Sequence, residues 1–328
     1  MSALAGLLVL LIHLALMLAA APLVVGVSRR LQARMTGRTG PPLAQPLRDL
    51  ARLLRKQPVV AEGTSWVFRT APMASLSATL AAASLVPSFA LGMATAGISD
   101  LLAIAGLLAV ARVSTALAAM DTGTAFGGIG ASREMTFAVF AEPVFFLVVF
   151  TLALLAGTTN LDTIVGLISS GTFGLRISMA LALVAAVLVA LVECGRLPVD
   201  SPSTHLELTM VHEAMVLEYS GRHLAMIELS AALRLLIWMS LISVIFAPFG
   251  LAVGDSDGAS LAPWLWAVGI AAWVVKIGLM SAALAAFETT RAKLRVFRVP
   301  EMLGMALLLG LLAAIFLFVS QGFAGGMG

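Results

Sequence analysis

Eight apolar stretches, each near the roughly 20 residues a helix needs to cross a hydrocarbon core, constrain this chain more than any other feature. They run over about Ala3–Val27, Ala71–Met93, Leu101–Met120, Met135–Ala156, Leu175–Val192, Leu224–Phe249, Leu261–Phe287 and Met302–Phe323. Inside lipid every backbone polar group must be satisfied within the protein, so segments of this length fold as helices. Composition agrees: 60% of the 328 residues are hydrophobic and 11% are charged, against about 25% charged in a soluble domain. A water-soluble globule, a disordered tail and a nucleic-acid binder are excluded together. The expected fold is all-α and integral to the membrane. It is an eight-span helix bundle that forms one domain over residues 1–328.

The loops between these stretches divide by charge. One set, Ser28–Thr70, Asp121–Glu134, Glu193–His223 and Glu288–Glu301, holds 16 of the 20 Lys and Arg residues. The other set, Ala94–Asp100, Gly157–Gly174 and Gly250–Ser260, holds no Lys or Arg and carries Asp100, Asp162, Asp255 and Asp257. Basic loops stay on the cytoplasmic side, so the first set is expected inside and both termini outside. The first stretch has no basic residue before it, and Arg29 and Arg30 follow it. It therefore reads as a retained span rather than a signal peptide.

The first basic loop has structure of its own. Gly40–Pro42 interrupts it, Pro46 sits where a helix would start, and Leu47, Leu50, Leu53 and Leu54 share one face opposite Arg48, Arg52, Arg55 and Lys56. That pattern predicts an amphipathic helix lying in the headgroup plane. Anchoring to anionic lipid and docking of another protein are both open to it.

Charges within spans are costly and need a partner or a task. Arg112, Arg176, Arg234 and Lys276 are the basic residues outside the loops. Arg176 is near a helix end and can snorkel, whereas Lys276 is about 22 Å along its helix from Leu261. Glu142 and Glu228 are the acids available within spans. Glu228 and Arg234 are six residues apart and point to different sides of their helix, so pairing has to be interhelical. This set serves either a proton path or static ion pairs that fix the packing.

The densest polar segment runs from Glu193 to Gly221 and includes Asp200, Glu207, Glu213 and Glu218. His205, Thr209 and His212 share a helical face, but the spacing of a zinc helix is absent and no metal is expected. Ser201, His205 and Asp200 lack a nucleophile elbow, so hydrolysis is not expected either. A carboxylate-rich mouth where protons enter the membrane fits better. The single cysteine, Cys194, excludes a disulfide framework and a self-contained cysteine-ligated cluster.

At this segment the chain resembles a known family. Arg196-x-Pro198-x-Asp200, Glu207-Leu208 and Glu218-Tyr219-Ser220-Gly221 resemble the signature loop of the subunit 1 family of respiratory complex I. Arg38, Gly40-Pro41, Gln45-Pro46, Asp49 and Leu53-Leu54-Arg55-Lys56 resemble its amphipathic-helix motif. Gly127-Gly128, Arg133 and Glu142 resemble its second cytoplasmic loop and the following span. Arg291, Arg295, Arg298 and Pro300 resemble its arginine-rich last loop. One departure stands out: Ser203 and His205 occupy two of three positions where complex I has alternating acids. The run from Asp200 to Leu217 instead resembles the membrane subunit of group 4 nickel–iron hydrogenases, of the formate hydrogenlyase and hydrogenase-4 type.

The resemblance implies a membrane-anchoring, ion-coupling subunit of a hydrogen-evolving complex in a bacterial or archaeal cell membrane. Such a subunit would hold no redox cofactor of its own. The nickel–iron centre and iron–sulfur clusters would belong to hydrogenase large and small subunits, and antiporter-like subunits would lie alongside. It implies a proton path through Glu142, Asp200, Glu207, Glu213, Glu218 and Glu228, with Lys276 and Arg234 as charge partners or relay members. Arg133, Arg196, Arg291, Arg295 and Arg298 would organise carboxylates or dock the peripheral arm. Pro46, Asp49, Arg52, Arg55 and Lys56 would mark the interfacial helix. The alternatives are a quinone-binding complex I subunit, an independent ion transporter and a passive anchor.

Overall fold

Each of the eight apolar stretches contains a helix in the computed structural model, which describes residues 3–170, 177–197, 211–252, 263–290 and 298–325. In chain order the helices are α1 (Ala3–Met35), α2 (Gln45–Arg55), α3 (Trp66–Leu85), α4 (Leu101–Asp121), α5 (Ala125–Ala156), α6 (Leu161–Ser169), α7 (Ile177–Glu193), α8 (His212–Val216), α9 (Gly221–Phe246), α10 (Pro263–Thr290) and α11 (Val299–Gly325). Among the described residues, α1, α4, α5, α9, α10 and α11 are the six long and apolar enough to cross a membrane. The chain is a multi-pass membrane protein. α7, at 17 residues, is shorter than a full crossing. α3 carries Arg69 and a polar run through Ser75, Ser77 and Thr79.

Helix ends depart from the apolar pattern where capping or proline overrides it. α5 starts ten residues before Met135, because Thr124 Oγ1 accepts the Gly127 N–H at 3.2 Å and provides the N-cap. Much of the loop expected at Asp121–Glu134 is thus helix. α5 ends at Gly157, whose left-handed φ of 71° closes the C-terminus. α3 stops at Leu85 although apolar residues continue to Met93. Val86 precedes Pro87, which disfavours helical geometry at Val86, and its ψ is 112°.

The residues after α3 remain buried, so their backbone needs partners. Ala252 donates its N–H to the Phe89 carbonyl at 2.8 Å, and Leu91 donates to the Ala252 carbonyl at 3.1 Å. Gly92 donates to the Asp162 carboxylate at 3.0 Å. His13 of α1, fully buried, bonds Ser88 Oγ through Nδ1 at 2.7 Å and the Ala83 carbonyl through Nε2 at 2.8 Å. A carbonyl only accepts, so Nε2 carries the proton.

α9 is the axle. Its membrane-crossing window is 83% buried, whereas no other candidate span exceeds 50%. It packs against α1, α2, α3, α7 and α10, while α11 packs on α5 and α7. Leu233, Leu236 and Ile237 form the fully buried middle of the core. α2 lies across α1 and α9 with none of its residues buried. The chain can fold back that closely because a β-carbon at Gly26 would collide with the Leu43 carbonyl, and one at Gly40 with the Arg30 backbone. Pro46 occupies the first turn of α2, where a missing N–H costs nothing.

Candidate functional site

A polar vestibule of about 420 Å³ opens at the end of the bundle that carries α2. Arg29 of α1, Asp49 of α2, Arg196, His212 and Glu213 of α8 and Glu228 of α9 face it. α8 is held there through α5, where Gly130 lets the Val211 carbonyl and Met215 approach closely. Behind α8, Tyr219 stacks on Phe68 with ring centroids 4.0 Å apart and donates its hydroxyl to the Phe68 carbonyl at 2.9 Å. Ser220 Oγ accepts the Val59 N–H at 2.8 Å, tying the first loop to the start of α9.

Two groups in this wall have strongly shifted protonation. Burial, assisted by the charges of Arg234 and Arg196, pushes His212 down to about 4, so it is neutral near pH 7. Burial pushes the Cys194 thiol up to about 12. It stays protonated and unreactive.

One residue before Cys194, the vestibule wall meets a buried ion cluster. Arg112 of α4, 4% exposed, donates from Nη2 to Glu193 Oε2 of α7 at 2.7 Å. It also donates from Nη1 to Glu142 Oε1 of α5 at 3.2 Å. Arg234 of α9, also 4% exposed, supplies a second positive charge to Glu193 through space. A small cavity of about 60 Å³ touches Arg112, Glu142, Glu193 and Trp238. Among the described residues, the Nε atoms of Arg112 and Arg234 and the indole nitrogen of Trp238 are buried without a protein partner. Four helices thus bring two arginines and two carboxylates together. The Glu142 side chain is 44% exposed, whereas those of Arg112 and Glu193 are 5% exposed.

The sequence-based candidates separate accordingly. Glu142 and Arg234 belong to the cluster, and Glu213, Glu228 and Arg196 to the vestibule. Glu218 is exposed beyond α8, Arg133 lies on the early turns of α5, and Arg298 is exposed at the start of α11. Lys276 stands apart. Its Nζ donates to the Ala247 carbonyl at 2.6 Å and lies 4.5 Å over the Phe249 ring. It caps the C-terminus of α9. On α2, Asp49 faces the vestibule and makes a 3.7 Å pair with the exposed Arg52, while Arg55 and Lys56 are also exposed. Asp200, Glu207, Arg291 and Arg295 lie outside the described residues. Arg112 and Glu193 were absent from the sequence-based site. Arg112 stood out as a charge within a span, whereas Glu193 read as the first residue of a loop. Among the described residues, no three His, Cys, Asp or Glu side chains gather as a metal site.

Comparison with known proteins follows this geometry. The NADH dehydrogenase family matches residues 7–319. Hydrogenase-4 component C of Escherichia coli (strain K12) is 35% identical over 229 residues, covering 70% of this chain and 71% of that protein. Formate hydrogenlyase subunit 4 of the same organism is 31% identical over 291 residues, covering 89% and 92%. Among solved structures, a chain of the membrane-bound sulfane sulfur reductase, an archaeal respiratory membrane complex, superposes with a TM-score of 0.78 at 20% identity. The match covers 94% of this chain and 98% of that one, and it establishes a shared fold.

Proposed function

The chain belongs to the NADH dehydrogenase family, and from that premise we propose that it is the membrane-anchoring, ion-coupling subunit of a group 4 nickel–iron hydrogenase complex. Its similarity to hydrogenase-4 component C and formate hydrogenlyase subunit 4 supports that assignment over other complexes of the family. The observation that supports the coupling role is the pairing of Arg112 with both Glu193 and Glu142, one residue from Cys194 of the vestibule wall. Protons enter at Glu213 and Glu228, reach Glu193 beside Arg234, and pass Arg112 to Glu142. The cavity of about 60 Å³ beside these groups has room for water.

In this reading all eight apolar helices span the membrane, with α3 and α7 as the two less apolar or shorter spans. The basic loops are cytoplasmic and both termini lie outside. α2 rests in the headgroup layer, with Arg48, Arg52, Arg55 and Lys56 toward anionic lipid. The hydrogenase large and small subunits, with the nickel–iron centre and iron–sulfur clusters, dock over the vestibule. Antiporter-like subunits flank the bundle. This chain then holds no redox centre, and its task is to move charge when electrons move above it.

Purification of the complex in mild detergent, with metal analysis and assays in inverted vesicles, tests the proposal. Nickel, a hydrogenase large subunit and proton movement linked to hydrogen turnover are expected. Glu193→Gln and Glu142→Gln are expected to abolish proton movement. Quinone-dependent NADH oxidation without hydrogenase activity would select the quinone-binding reading instead. Ion exchange by the chain alone in liposomes would make it a transporter.

A further inference from the structure

α7 and α10 flank α9 without packing closely on one another. Between them lies a cavity of about 380 Å³, distinct from the vestibule. Leu188 and Leu191 of α7, Leu235 and Trp238 of α9, and Met280 and Phe287 of α10 line it. Each helix contributes a stretch of about two turns, roughly 10 Å long. The lining is apolar except at one end, where Arg196 closes it. Beside Arg196 stands Glu288, at 3.8 Å, and Gln32 donates to the same carboxylate. The 3.8 Å separation is well beyond the roughly 2.7–2.9 Å of a direct charged hydrogen bond. Both charges therefore retain capacity for another partner.

We propose that this groove binds one acyl chain of phosphatidylethanolamine, with its phosphate on Arg196 and its ammonium on Glu288. The two opposite charges at the rim match a zwitterionic head. An anionic lipid without an amine would set its phosphate against the Glu288 carboxylate. A neighbouring transmembrane helix, about 10–12 Å across with its side chains, would run along α7 and α10 rather than fill two turns at one end. Arg196 also lines the vestibule, so the lipid head stands at the wall of the polar chamber. The site does not depend on which redox reaction the complex performs.

The test uses the intact complex and a phosphatidylethanolamine bearing a photoactivatable group in its acyl chain. Crosslinks are expected on Val187–Cys194, Leu235–Ile242 or Met280–Phe287, located by mass spectrometry. Unlabelled phosphatidylethanolamine should compete about tenfold better than phosphatidylglycerol. Glu288→Gln should remove that preference, because the partner of the ammonium is gone. Ala283→Trp, which fills the groove, should suppress labelling, and Ala190→Phe does the same from the opposite wall if the first variant does not assemble. Absence of labelling at these segments overturns the proposal. So does equal competition by phosphatidylglycerol, stronger competition by an isoprenoid quinone, or labelling unchanged in an assembled groove-filling variant.

Discussion

Replacing Arg112 and Glu193 singly and together separates a proton relay from a passive strut. Both side chains are 5% exposed and meet at 2.7 Å. Removing one partner of such a buried pair leaves an uncompensated charge and costs about 3–5 kcal/mol. Arg112 also meets Glu142 at 3.2 Å, so Arg112→Met breaks two contacts where Glu193→Met breaks one. Arg112→Met and Glu193→Met should each lower the thermal stability of the detergent-extracted chain by that order. The double variant puts apolar groups on both sides of the former bond and should recover most of the loss, since well-packed apolar replacements of buried pairs are often neutral. Proton movement in vesicles should nevertheless vanish in all three. A stable, assembled double variant that still couples hydrogen turnover to proton movement would refute the relay, and the cluster would be packing alone. Additive single losses with no recovery would refute the pairing.

Other perturbations bear on separate parts of the structure. Gly26→Val should push the Leu43 carbonyl and Pro46 away and lift α2 from α1; faster trypsin cleavage at Arg48, Arg52 or Arg55 would register it, and unchanged cleavage would contradict the close approach. His212 titrates near 4 in the folded chain against an ordinary 6.5, so the unfolded state binds more protons between those values. Stability is fully present above about pH 6.5 and declines as pH falls toward about 4, and His212→Asn should flatten that part of the thermal-stability profile. Lys276→Met should cost about 1.5–3 kcal/mol, the scale of a hydrogen bond to a charged group. It should leave proton movement intact; loss of proton movement at unchanged stability would place Lys276 on the path after all.

The helices were legible because apolar length is what a membrane selects, yet apolarity reports burial before it reports helix. Ser88 to Met93 shows the difference. These residues are nearly as apolar as a span and largely buried, but Pro87 breaks the helix before them, and their backbone bonds go to Ala252 and Asp162. No local signal in the sequence marks Ala252 as the partner of Phe89 and Leu91, because the contact closes across more than 150 residues. α5 shows the opposite error. Gly127, Gly128, Gly130 and Arg133 look like loop residues, but Thr124 caps the helix ahead of them and Gly130 admits α8.

The site was half legible for the same physical reason. A charge within a span announces that it needs a partner, which singled out Arg112, Arg234, Glu142 and Lys276. The partner's identity is set by helix packing, and packing brought Glu193 from the edge of a polar loop into the cluster, onto Arg112. It sent Lys276 to a carbonyl at the end of α9 instead. The cluster's two ends then differ in a way that static pairing does not require. At one end Glu193 adjoins the vestibule wall. At the other, Glu142 leaves 44% of its side chain uncovered on a helix apolar enough to cross a membrane. A strut would enclose both carboxylates, because an ionised group facing hydrocarbon is costly. A relay that hands protons to a neighbouring membrane subunit needs one end open toward that neighbour. The uneven burial of Glu193 and Glu142 is therefore what the proposed relay requires and what a strut does not.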